Sequence, residues 1–299
     1  MHRRTLLGLV AGAFLAASTF ATAAGAQTKT IVVGGKNFTE QQLLAELTSQ
    51  FLRANDLAVD TRAGMGSAVL RQAQEDGQVD VYWEYTGTSL ITYNKINDRL
   101  TPEQTYEKVK ELDAGKGLVW LNPSRANNTY GLAMNKAEAQ KLGIATISDL
   151  AKAVKGGKKL TFASNAEFAE RPDGLKPLQE AYGFEFGRAN VKRMDSGLTY
   201  QALQQKQVDV ALVFATDGRI PAFDFLVLKD DKGYFPSYAL TPVVRKDTLA
   251  ANPKLGDLLN KLSAKLDDET MAKLNASVDV EKKSIEEVAA TFLRSQKLI

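Results

Sequence analysis

Cysteine is missing from this chain, and histidine occurs once, at His2. Without a thiol there is no disulfide, no thiolate metal site, no cysteine nucleophile and no cysteine to carry a lipid. His2 sits at the extreme N-terminus, inside a stretch that reads as a removable leader. The remaining chain therefore lacks Ser-His-Asp and Cys-His nucleophilic sites and any metal held by His or Cys. The patterns G-x-S-x-G, S-x-x-K and G-x-x-x-x-G-K are also absent. Carboxylate, Lys, Ser or Tyr chemistry remains possible, but the balance points away from an enzyme. Charge of one sign is lacking too. The formal +3 loses Arg3 and Arg4 with the leader, and no dense Lys/Arg run remains to grip nucleic acid.

The leader is residues 1–26. Arg3 and Arg4 precede an apolar run, Leu6–Phe20, and Ala24-Gly25-Ala26 offers a cleavage site before Gln27. The run is short, and diluted with Ala, Gly, Ser and Thr, for a membrane span of roughly 20 apolar residues. This predicts a soluble protein exported to the periplasm. The Arg pair leaves the choice between the general and the twin-arginine route open.

The most informative stretch occurs twice. Gln78-Val79-Asp80-Val81 returns 129 residues later as Gln207-Val208-Asp209-Val210, and Ser67, Gln72 and Ala73 return as Ser196, Gln201 and Ala202. Tyr85 falls on Phe214. Each copy reads as a helix, a break and a buried strand, the second half of a βαβ unit. Two similar α/β lobes follow from this, and ligands in such sheets sit beyond the carboxyl ends of the strands. That rule places Tyr85–Thr88 and Phe214–Asp217 at a site.

In chain order, Thr30–Gly34 predicts a strand, and Thr39 with Gln42 a capping box opening a helix to about Asn55. Leu57–Ala63 predicts the next strand. Gly64-x-Gly66 fails as a dinucleotide fingerprint because position 69 is Val. A helix over Thr101–Asp113, a strand over Leu118–Leu121 and a polar-to-apolar segment Asn127–Met134 follow. Ser148 is the expected cap of the next helix, and Leu160–Ala163 the next strand. Arg171-Pro172-Asp173-Gly174 reads as a turn. Phe225–Leu228 and Ala239–Val244 are strands, the latter returning to the first lobe. The stripe Leu255, Leu258, Leu259, Leu262, Leu266 and the later Ile285, Val288, Phe292 are helical core faces. The division expected is lobe 1 over 27–127 plus 240–299, and lobe 2 over 128–239.

Aromatic residues follow strand ends or flank the crossings: Tyr85, Tyr130, Phe214 and Tyr238. A quaternary ammonium has no N–H to donate and is held by ring faces, at roughly 0.5–2 kcal/mol each. The same rings serve equally as core or as sugar-stacking residues. Lys36 beside the first helix start suits an anionic group, or is an ordinary solvated lysine. Arg171, in its turn, reads from the residues alone as an ordinary solvated arginine as readily as a site residue.

The stretches Gly35-Lys36-Asn37-Phe38-Thr39-Glu40-Gln41, Glu84-Tyr85-Thr86-Gly87-Thr88, Thr216-Asp217-Gly218-Arg219-Ile220 and Phe235-Pro236-Ser237-Tyr238 resemble the glycine betaine/choline/carnitine-binding proteins of osmoprotectant ABC importers. The resemblance covers essentially the whole chain beyond the leader. It implies a type II periplasmic-binding-protein fold, two α/β lobes with a ligand cleft between them. It also implies an aromatic cage of Tyr85, Tyr130, Phe214 and Tyr238 around a trimethylammonium group, and a carboxylate end held by Arg171, Lys36 and Thr88, with Asn128 near the cage. No cofactor and no metal are implied. The partners implied are a permease and an ATPase, serving a monomeric, unanchored receptor. One departure is Phe214, where the family usually has Tyr; the ring face survives and the hydroxyl does not. Two other readings stay open: a solute-sensing adaptor of the same fold, with a different small ligand, and an enzyme using Glu84 or Asp217 as acid and base.

Overall fold

β-branched Ile31, Val32 and Val33 open a strand that Gly34 and Gly35 carry up to Lys36, and the fold grows outward from it. The structure is a computed structural model and describes residues 30–299; the expected leader, 1–26, lies outside them. The strands are β1 (Ile31–Lys36), β2 (Val59–Met65), β3 (Val81–Tyr85), β4 (Leu118–Trp120), β5 (Tyr130–Asn135), β6 (Phe162–Ser164), β7 (Val191–Arg193), β8 (Val210–Phe214), β9 (Phe225–Val227) and β10 (Leu240–Arg245). They form two five-stranded sheets, ordered β2-β1-β3-β10-β4 and β7-β6-β8-β5-β9. In each, four strands run in one direction, and one antiparallel strand is inserted among them, β10 between β3 and β4 or β5 between β8 and β9. That inserted strand arrives directly from the other lobe. Asn127 bridges Ala239 where the two crossings lie side by side, and Asn128 N–H donates to the Tyr238 carbonyl at 3.2 Å. The architecture is two α/β lobes around a cleft, the type II periplasmic-binding-protein fold.

The repeat is structural. Helix Ser67–Glu75 and strand β3 recur as helix Ser196–Gln204 and strand β8 with the same bounds relative to the motif. The recurring aspartate explains why the motif is so alike. The Asp80 carboxylate accepts the Val32 N–H at 2.8 Å, and Asp209 accepts the Thr161 N–H at 2.7 Å. Each thus satisfies a backbone donor at the entry of the central parallel strand, where a neighbour's carbonyl is missing. Asp80 also accepts from Thr248 Oγ1 at 2.7 Å, and Asp209 from Thr161 Oγ1 at 2.7 Å.

Several boundaries differ from the sequence reading. Thr39 makes no capping box. Phe38 occupies the cap position without a side-chain bond, and Thr39 Oγ1 donates instead to Asp279 at 2.8 Å on a C-terminal helix. Ser148 does not cap the helix Ile147–Lys155; Thr146 does, in a box with Asp149. A capping box opens the helix Pro102–Ala114 instead, from Thr101 and Gln104, where the sequence reading places only a helix start. No described helix is long and apolar enough to cross a membrane.

Arg71, on the first repeat helix, sets the pose of that helix. It forks onto Asp113 at 2.7 and 2.8 Å, and Asp113 also accepts from Ser89, Asn94 and the Trp120 indole. This company holds the Asp113 carboxyl down at about 2. The helix start, Ser67, is thereby fixed at the cleft.

Removing the repeat's aspartates tests their equivalence. Asp80→Ala, at a buried site, is expected to lower unfolding free energy by about 2–3 kcal/mol, and the more exposed Asp209→Ala by about 1 kcal/mol. Urea denaturation reads both.

Candidate functional site

The carboxyl ends of β1, β3 and β8 and the amino ends of β5 and β10 converge on one cavity of about 530 Å³. All eight residues singled out from the sequence line it: Lys36, Tyr85, Thr88, Asn128, Tyr130, Arg171, Phe214 and Tyr238. Tyr85 and Phe214 are the last residues of β3 and β8. Tyr130, the first residue of β5, pairs across the sheet with Phe214. Tyr238 lies two residues before β10. Its ring approaches so closely that a Cβ on Gly87 would stand 2.9 Å from it and 2.7 Å from the Ser237 carbonyl. That contact accounts for the glycine of the E-Y-T-G-T stretch.

The rings form a continuous wall. Tyr130 meets Tyr238 edge-on at 5.4 Å between centroids and Phe214 at 5.3 Å. Phe214 stacks on Phe38 at 5.5 Å with planes 1° apart, and Phe38 reaches Tyr85 at 6.4 Å. Phe38 is the ring that the sequence reading missed. It closes the gap between Phe214 and Tyr85, and it lies two residues past the carboxyl end of β1, as Tyr85 and Phe214 stand at the ends of their own strands. The strand-end rule, applied to β1 as well, would have found it.

Two tyrosine hydroxyls are fastened behind this wall. Tyr85 Oη donates to Glu40 at 2.7 Å, and Tyr238 Oη donates to Asp173 at 2.6 Å. Burial, with these carboxylates beside them, pushes both hydroxyls well above the ordinary tyrosine range, so they stay protonated donors. Glu40 is the second residue that the sequence reading missed. Its carboxylate accepts from Tyr85, Asn128, Thr216 and Asn275. It therefore ties the first helix to the crossing, to the loop after β8 and to a C-terminal helix. Burial raises its carboxyl from the usual value, and the donations from Thr216, Tyr85, Asn275 and Asn128 pull the other way.

The two basic candidates are buried, which ends the solvated reading of both. Lys36 is 2 % exposed and meets Glu84 at 2.5 Å. Arg171 is 5 % exposed and forks onto Asp173 through Nε and an Nη, both at 2.7 Å. It also reaches Glu167 at 3.1 Å and, at 3.4 Å, the Thr88 hydroxyl on the opposite lobe. Neither is a free charge waiting for an anion. Asn128 donates to Glu40 and accepts the Thr216 N–H at 3.3 Å, so its amide is engaged in the network behind the wall. The carboxylates of the enzyme reading are likewise committed. Glu84 belongs to Lys36, and Asp217 grips Arg219 at 2.6 and 2.9 Å.

Residues 29–295 match a family model described as the substrate binding domain of ABC-type glycine betaine transport systems. The chain is 46% identical over 280 residues to a glycine-betaine-binding protein of Pseudomonas aeruginosa, spanning 92% of this chain and 90% of that one. It is 32% identical over 295 residues to the carnitine transport binding protein OpuCC of Listeria monocytogenes, spanning 97% and 94%. Its fold is similar to that of apo YehZ from Escherichia coli, with TM-score 0.67, 33% identity, and 91% and 100% of the two chains covered.

Asp173 carries the tightest constraint at this site, because it neutralises Arg171 and anchors Tyr238 together. Asp173→Ala leaves a buried guanidinium without its main partner and is expected to destabilise the protein by about 3–5 kcal/mol, read by chemical denaturation.

Proposed function

The chain belongs to the family of substrate-binding domains of ABC-type glycine betaine transport systems, and on that premise we propose that it is the periplasmic receptor of an importer for quaternary-ammonium solutes such as glycine betaine or choline. The observation that carries this reading is the wall of rings drawn from both lobes around one cavity. A methylated nitrogen carries its charge on carbon-bound hydrogens, which ring faces attract and hydrogen-bond acceptors serve poorly. At roughly 0.5–2 kcal/mol per ring, Tyr85, Phe38, Phe214, Tyr130 and Tyr238 supply a large part of the roughly 8 kcal/mol behind micromolar binding.

In this proposal the lobes divide at 127/128 and 239/240, residues 1–26 are removed on export, and the receptor is a monomer that delivers its ligand to a permease and ATPase. Thr88, Lys36, Arg171 and Asn128 complete the binding residues. Arg171 and Lys36 act there as fixed, internally neutralised ion pairs that offer N–H donors to a polar ligand end. Arg171 with Thr88, and Ser67 with Glu167 at 2.9 Å, bridge the lobes and favour the closed cleft. No catalytic role is assigned, since Glu84 and Asp217 are held in ion pairs.

Isothermal titration of the protein from Gln27 onward tests the reading. Heat is expected with choline, glycine betaine or carnitine, and Tyr130→Ala and Phe38→Ala should each weaken binding about tenfold. Silence with every quaternary amine up to about millimolar concentration would end the proposal.

A further inference from the structure

Three basic side chains line the cavity, and each is matched by a carboxylate. Lys36 has Glu84, Arg171 has Asp173, and Arg193 has Glu170 at 2.7 Å. Two of them also lie over rings of the wall. Lys36 Nζ is 4.9 Å from the centre of Tyr85, and the Arg171 guanidinium is 5.2 Å from the centre of Tyr130. A cation entering the cavity therefore finds two of its rings already shared with protein cations. Their own carboxylates cancel these charges. Two lining carboxylates are left over, Glu167, the second partner of Arg171, and Asp195, but both reach solvent, which screens them. Attraction for a further cation needs a negative charge that is not already matched.

Glu40 has that property. It is 3 % exposed, and among the described residues no Lys or Arg lies within ion-pair distance of it. It stands one hydrogen bond behind the wall at two points, Tyr85 Oη at 2.7 Å and Asn128 Nδ2 at 2.8 Å. Each of its oxygens accepts two bonds: Oε1 from Tyr85 and Asn128, Oε2 from Thr216 and Asn275. A proton on either oxygen would have to displace or turn round one of these four donors, so the surroundings are built for a carboxylate.

Resting on the quaternary-ammonium reading above, we propose that Glu40 is the buried counter-charge of the site, which makes the ring-lined cavity select a permanent cation over a neutral group of the same shape. It acts through Tyr85 and Asn128 without touching the ligand. At a separation on the order of 7 Å and an effective dielectric of about 20, one such charge changes cation affinity by tens of fold. The competing role is mechanical. Through Thr216 the same carboxylate joins the lobes, and a pure latch would serve charged and neutral ligands alike.

The experiment compares choline with 3,3-dimethyl-1-butanol, its neutral carbon isostere, by titration against wild type, Glu40→Gln and Thr216→Val. Glu40→Gln is expected to lower the choline-to-isostere affinity ratio about tenfold or more. Thr216→Val should weaken both ligands and keep the ratio. Equal weakening of both ligands by Glu40→Gln would reduce Glu40 to a latch and overturn the proposal, as would no change. Should Glu40→Gln fail to fold by circular dichroism, Glu40→Asp keeps the charge. Its ratio is expected within about threefold of wild type, and a collapsed ratio would contradict the proposal. Failure of wild type to bind choline, glycine betaine or carnitine would instead remove the underlying reading.

Discussion

A tyrosine can offer its ring face to a ligand inside a buried cavity only if its hydroxyl finds a partner elsewhere. This constraint organises the site. Tyr85 and Tyr238 turn their hydroxyls onto Glu40 and Asp173; the first carboxylate is held by side chains from distant parts of the chain, the second by a neighbour two residues back. Glu40 depends on Asn128, Thr216 and Asn275, and Asp173 on Arg171. The polar network fixes the orientation of the rings and links the two lobes. Wall and hinge are therefore one structure: the crossings that carry Asn128 and Tyr238 are also the strands that join the lobes.

The motifs that carry the family resemblance have separate physical reasons. Gly87 lets Tyr238 approach, and Gly218 lets the helix Asp268–Asp279 approach, since a Cβ there would lie 2.5 Å from the Ala272 carbonyl. Asp217 fixes Arg219, whose guanidinium lies 4.0 Å over the Tyr200 ring and 3.2 Å from Asp279. Only part of each motif faces the cavity; the rest holds the lobes and the C-terminal helices in place.

How much of this was legible in the sequence depends on how local the signal is. The repeat was legible because Asp80 and Asp209 meet the same backbone demand in both sheets. Tyr85 and Phe214 could be placed at the cavity because the carboxyl ends of parallel strands open onto it, and Tyr130 and Tyr238 because they flank the crossings between lobes. Glu40 was not legible. Its partners lie far along the chain, and the pair Thr39 and Gln42 around it imitates a helix cap that the fold uses differently. Lys36 and Arg171 do line the cavity, but their pairing was not foreseen. Glu84 looked like a strand residue until the tertiary fold brought it onto Lys36, 48 residues away, and Asp173 like a plain turn residue, although it pairs with Arg171 inside that same turn. The π-helix Thr88–Tyr93 left no sequence signal.

The central claim is that ring faces hold a permanent cation by the negative charge of their π-systems. Phe214 permits a direct measurement, because it has no hydroxyl to confuse the result. Replacing it with mono-, di- and trifluorinated phenylalanine drains that charge in steps at nearly constant shape. The account expects choline affinity to fall stepwise along the series. Affinity that stays level across all three would contradict it.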